Sequence, residues 1–126
     1  MIGVRRVLVA GFLIVAAITC APRPARAHAL VLESLPRTGE VLKVPPSRIF
    51  LRFNSRIEKG LSVVTVTGPG GRPVPLPVAA LDRSPDRLVV PLPSLPPSTY
   101  LVRWKVLSAD GHVTEGAFRF TVAPGP

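Results

Sequence analysis

The chain has 126 residues, 47% of them hydrophobic and 18% charged, too short for two ordinary domains and too apolar for a disordered chain. Sixteen prolines and ten glycines argue against a helical bundle, because proline removes helical hydrogen bonds and glycine weakens helix interiors. The formal charge of +9 would point to nucleic acid or an anionic membrane if it sat on the folded domain, but part of it falls elsewhere.

Residues 1–27 read as an export leader. Arg5 and Arg6 give a basic start, residues 7–19 form an unbroken apolar run of 13, and Ala25-Arg26-Ala27 places small residues where a signal peptidase reads them. A spanning helix needs about 20 apolar residues, and here Pro22, Arg23, Pro24 and Arg26 follow the run, so the expectation is a cleaved leader. It holds four of the sixteen basic residues and none of the seven acidic ones, leaving +5 on residues 28–126. The remaining cations form no run and no aromatic interleaving, so no nucleic-acid partner is expected. Cys20, the only cysteine, lies inside the leader, and removal of the leader leaves a domain without thiol or disulfide. The alternative, a lipid anchor on Cys20, is poorly served by the preceding Ala17-Ile18-Thr19.

From residue 28 onward the pattern is short β segments cut by proline and glycine. Residues 29–33 are a short apolar start, ended by the turn-rich 34–39. In 48–54, Ile49, Leu51 and Phe53 alternate with Arg52 and Asn54, a half-buried strand. Residues 61–67 are β-branched and apolar on both faces, and Gly68-Pro69-Gly70-Gly71 reverses the chain into 74–78. There Pro73, Pro75 and Pro77 alternate, which fits only an edge strand or an extended loop. After a further strand at 87–92, the clearest alternation is C-terminal: Tyr100, Val102, Trp104 and Val106 against Arg103 and Lys105, then Phe118, Phe120 and Val122 against Arg119 and Thr121. These two strands are expected at the centre of the core, with Trp104 as its tryptophan and the Tyr100 hydroxyl on a backbone acceptor. About seven short strands without helical periodicity predict an all-β antiparallel sandwich, or a small Greek-key barrel, of immunoglobulin-like type.

The chemistry-bearing residues from 28 onward are few. Neither a nucleophile elbow nor a phosphate-binding glycine loop is present. Asp110-Gly111-His112 falls between the two strongest strands, and a glycine between two donors lets carboxylate and imidazole bend toward one ion. If the leader is cut after Ala27, the other histidine, His28, becomes the first residue, and its α-amine and ring can chelate one metal. With His112 and Asp110 this makes three nitrogens and one oxygen, a tetragonal set preferred by Cu(II). The plainer reading makes His112 a surface turn residue and the terminal position of His28 an accident.

The run from Tyr100 through Trp104-Lys-Val106-Leu-Ser108-Ala-Asp110-Gly111-His112 to Gly116-Ala-Phe118-Arg-Phe120-Thr-Val122, the start at His28-Ala-Leu-Val-Leu-Glu-Ser-Leu-Pro36 with Gly39, and the 46–53 strand resemble the CopC-type periplasmic copper-binding proteins. The resemblance spans residues 28–123. It implies a seven-stranded β-sandwich, Greek key in topology, and one Cu(II) per processed chain at His28, Asp110 and His112. It further implies a periplasmic carrier or buffer in copper tolerance or uptake, monomeric, with a membrane copper transporter of the CopD type as partner and no catalysis. Two departures stand out. Many members carry a glutamate where this chain has Ser55, and Glu58 could replace it only if the loop bends back. Methionine, used by some members for Cu(I), occurs here only as Met1. The competing functions are an oxidative enzyme built on a copper histidine brace, which this chain's lack of an exposed aromatic platform disfavours, and a metal-free immunoglobulin-like interaction module. A start at Leu30, after the alternative site Ala27-His28-Ala29, would remove the chelate.

Overall fold

The computed structural model describes residues 29–77 and 82–125. The leader, Cys20, His28 and the end of the proline-rich segment at Val78 lie outside them. Among the described residues seven strands form two sheets: β1 (Val31–Leu35), β2 (Val41–Leu42), β3 (Arg48–Phe53), β4 (Val63–Thr67), β5 (Arg87–Pro91), β6 (Ser98–Leu107) and β7 (Val113–Val122). One sheet has the order β1-β3-β5 and the other β2-β7-β6-β4. Each successive strand changes sheet until the β6–β7 hairpin closes the chain, so the two layers are stitched together by their connections. The all-β sandwich expected from the alternation is present.

The alternating residues face where their spacing puts them. Ile49, Leu51 and Phe53 of β3 are almost completely buried, as are Val102 and Val106 of β6 and Phe120 and Val122 of β7. Burying a side chain of this size stabilises by about 1.5–3 kcal/mol relative to leaving it in water, so these three strands carry most of the core. Tyr100 stacks on Phe120 with ring centroids 5.4 Å apart, and its hydroxyl donates to the Pro96 carbonyl at 2.6 Å, the backbone acceptor expected for it. Burial raises its pKa above the ordinary tyrosine value.

Two details depart from the sequence reading, and a third decides between alternatives it left open. The pairing is not wholly antiparallel, because β2 runs parallel to β7. Only two residues long, β2 carries no readable alternation and is held by backbone bonds such as Thr121 N–H to the Glu40 carbonyl and Ala123 N–H to the Leu42 carbonyl. The strand expected at 117–122 starts earlier, at Val113, because Gly116 interrupts the pattern. The proline-rich stretch is an extended loop, tied to β4 by the Val74 N–H on the Val66 carbonyl.

Gly116 also explains why Trp104 is only half-buried rather than enclosed. The two residues are cross-strand partners, and the indole lies over the glycine while meeting Phe53 edge-on at 5.5 Å. A Cβ on Gly116 would sit 2.5 Å from Trp104 Cζ2. Gly116→Ala is therefore expected to destabilise the domain by about 1–3 kcal/mol, read as a lower midpoint in chemical denaturation. The loss should shrink when Trp104→Leu removes the ring.

Candidate metal centre

The β6–β7 hairpin ends in a three-residue loop, Ala109, Asp110 and Gly111, between Ser108 and His112. Gly111 adopts φ +86, a left-handed conformation that glycine takes without steric cost, as three-residue hairpin loops require at their last position. Among the described residues Ser108 is the one buried polar side chain. Its N–H and its hydroxyl both donate to the His112 carbonyl, at 2.9 and 2.8 Å, and its own carbonyl accepts from the Gly111 N–H at 2.9 Å.

Asp110 completes the loop. Its Oδ1 accepts from the His112 N–H at 3.1 Å and its Oδ2 lies 3.0 Å from His112 Nδ1. A ring nitrogen facing a carboxylate carries the proton, so the neutral imidazole keeps its lone pair on Nε2. This is the usual way in which a carboxylate sets the tautomer of a metal-binding histidine. The His112 backbone N–H is the main cause that lowers the Asp110 pKa below the ordinary value, so the carboxylate is ionised throughout the neutral range.

One segment joins this loop to the start of the described chain. Asn54 accepts the Leu30 N–H on Oδ1 at 2.7 Å and donates its own N–H to the Leu30 carbonyl at 3.0 Å. Two residues on, the Arg56 carbonyl accepts from Ala109 N–H at 3.0 Å, Ile57 bridges to Ser108, and Glu58 N–H donates to the Leu107 carbonyl at 2.8 Å. Ala29 is buried in the same core cluster as Ile57 of this segment. Residues 54–58 thus bind Leu30 on one side and the Asp-Gly-His loop on the other.

Of the three expected ligands, Asp110 and His112 are together, and His28 lies outside the described residues, two positions before the clamped Leu30. The described residues contain no group of three or more His, Cys, Asp or Glu able to hold a metal. Glu58 is exposed, and Ser55 has a buried hydroxyl with no hydrogen-bond partner in the structure. Arg56 is exposed as expected of a loop, whereas the Lys59 ammonium donates to the Asp82 carbonyl. Sequence reasoning missed Asn54 and Ser108, both of which look like ordinary polar residues at strand ends.

The CopC domain model matches residues 31–123. The chain belongs to the CopC family. It is 37% identical over 98 residues to Protein YobA of Escherichia coli, covering 76% of this chain and 79% of that one. It is 28% identical over 103 residues to the copper transport protein CutJ of Bacillus subtilis, covering 80% of this chain but 19% of CutJ. The crystal structure of PcoC, a methionine-rich copper resistance protein from Escherichia coli, superposes with a TM-score of 0.68 at 29% identity, covering 76% of this chain and 99% of PcoC. This CopC domain does not share that methionine content, since its sequence has a single methionine, Met1.

The lowered Asp110 pKa has a pH consequence. A carboxylate depressed in the folded state contributes stability above the ordinary aspartate value of about 3.9 and loses it as pH falls through the folded value. NMR titration of the Asp110 carboxyl carbon is expected to give a midpoint below that ordinary value. Asp110→Asn is expected to flatten the acid limb of loop stability below about pH 5.

Proposed function

We propose that this protein is a periplasmic Cu(II) carrier or buffer. Export removes the leader after Ala27 and leaves His28 at the N-terminus, where its α-amine and imidazole join His112 Nε2 and an Asp110 oxygen around one copper ion. The observation that carries this reading is the 54–58 segment, hydrogen-bonded to Leu30 and to Ala109. At most about 7.6 Å of Cα path separates Leu30 from His28, within reach of a segment that also binds the loop carrying Asp110 and His112. The donor set fits the cargo: imidazole and amine nitrogens with a carboxylate suit Cu(II), which also leads the affinity order of the divalent ions. The absence of thiol and thioether after residue 27 removes the soft sulfur ligands that select Cu(I).

The mechanism is chelation. Asp110 is ionised before the metal arrives and keeps the proton on Nδ1, which leaves Nε2 to bind; because the two ring nitrogens point apart, the carboxylate joins the same ion only by swinging off Nδ1. Amine and imidazole must be unprotonated to bind, hence copper uptake releases protons and affinity falls with pH. Donors reached from the surface and drawn from two chain segments allow release as well as capture. The kinship with a copper transport protein of which this domain matches only a part supports a membrane copper transporter of the CopD type as the partner, served by a monomeric carrier.

An added glycine in front of His28 turns the α-amine into an amide and displaces the new terminus. Competition against a chromophoric Cu(II) chelator, on protein whose N-terminus is verified by mass spectrometry, is expected to show a loss of about 10–100-fold. Equal affinity for native and extended forms would remove the N-terminal chelate. His112→Ala is expected to weaken binding by at least the same factor with an unchanged thermal midpoint, since an exposed loop residue contributes little to the core. Loss of fold with retained copper binding would make His112 structural.

A further inference from the structure

The strand that leads into residues 54–58 ends in an asparagine whose side chain does something its backbone cannot. At the open edge of a sheet the last N–H of a neighbouring chain ordinarily goes to water. Here the Leu30 N–H is captured by Asn54 Oδ1 at 2.7 Å, while the Leu30 carbonyl takes the Asn54 N–H at 3.0 Å. The two bonds close a ring between residues 24 positions apart in sequence. Leu30 itself adds little hold, being 60% exposed. The first regular pairing of β1 follows immediately, Val31 against Phe53, so the asparagine extends the ladder by one residue toward the N-terminus. Two residues along the same segment the Arg56 carbonyl holds Ala109, next to Asp110.

We infer that Asn54 is a positioning residue for copper binding: its side chain holds the Leu30 backbone, fixing the direction in which the amine and ring of His28 reach the Asp110–His112 loop. The inference rests on the reading of the site given above. A terminal chelate gains affinity when its freedom is already restricted before the metal binds, because less ordering then accompanies binding. Asn54 supplies that restriction through one acceptor atom and needs no contact with the metal. Aspartate preserves the acceptor, and alanine removes it while leaving the backbone bond in place.

The experiment is a double-mutant cycle between Asn54→Ala and the glycine extension before His28, read as Cu(II) affinity by chelator competition at fixed pH, with thermal midpoints recorded for all forms. In the native background Asn54→Ala is expected to lower affinity about tenfold, the usual size for removing a group that orients a metal ligand. Asn54→Asp should bind copper at least as tightly as the native protein. In the extended background, where the chelate is already lost, Asn54→Ala should change affinity by less than about twofold, so the two effects couple. An equal loss in both backgrounds, or no loss in the native one, would overturn the inference while leaving the N-terminal chelate standing. No effect of the extension itself would bring down the chelate reading and the inference with it. Should Asn54→Ala fail to fold, Asn54→Ser, with too short a side chain to keep the bond, takes its place in the cycle.

Discussion

The hairpin of β6 and β7 is the constraint on which the rest of the molecule depends. Ten consecutive residue pairs, from Ser98 with Val122 to Leu107 with Val113, bring the buried faces of both strands onto the core laid down by β3. Because the strands are long and their inner residues fully enclosed, neither can slide: a shift of one residue would turn every buried side chain to solvent. The loop at the end of this hairpin therefore inherits a fixed position from the most stable part of the fold, and Ser108 transmits that rigidity by holding His112 with two hydrogen bonds from inside the core.

Rigidity alone would make an ordinary turn. The chemistry comes from Asp110, which performs two tasks with one carboxylate. Its contacts with the His112 N–H and Nδ1 shape the loop, and they also decide which imidazole nitrogen carries a lone pair. Both tasks need the ionised form, and the backbone bond that lowers its pKa guarantees it. The other half of the proposed site is built differently. Leu30 lies at the edge of the smaller sheet, held there by the polar clamp of Asn54 in place of a hairpin. One half of the proposed site thus rides on a rigid hairpin, and the other hangs from a sheet edge by a side-chain hydrogen bond.

How much of this was legible in the sequence depended on whether a residue's role followed from periodicity. The buried faces of β3, β6 and β7 were readable because alternation of Ile49, Leu51 and Phe53, or of Tyr100, Val102 and Val106, reports a face directly. The Asp110-Gly111-His112 loop was readable because it joined two recognisable strands. Strand β2 was not, since two residues have no period and its partner is distant in sequence. Trp104 reads as the core tryptophan, and only the cross-strand register, which places Gly116 opposite it, shows that the indole packs on the core while staying partly uncovered. Asn54 and Ser108 were invisible for a related reason: their roles lie in hydrogen bonds to Leu30 and His112, and only the pairing of distant segments shows why a hydroxyl or an amide is needed there.

In the proposed site one copper ion is held jointly by the processed N-terminus and the hairpin loop. Pulsed electron paramagnetic resonance of the Cu(II)-loaded protein beginning at His28 tests this most directly, because the remote ring nitrogen of each coordinated imidazole modulates the echo in a countable way. A single tetragonal copper is expected, with modulation from two imidazoles, falling to one when His112 is replaced by alanine. Modulation from one imidazole or none in the native protein, or two copper ions each bound to a separate histidine, would contradict it.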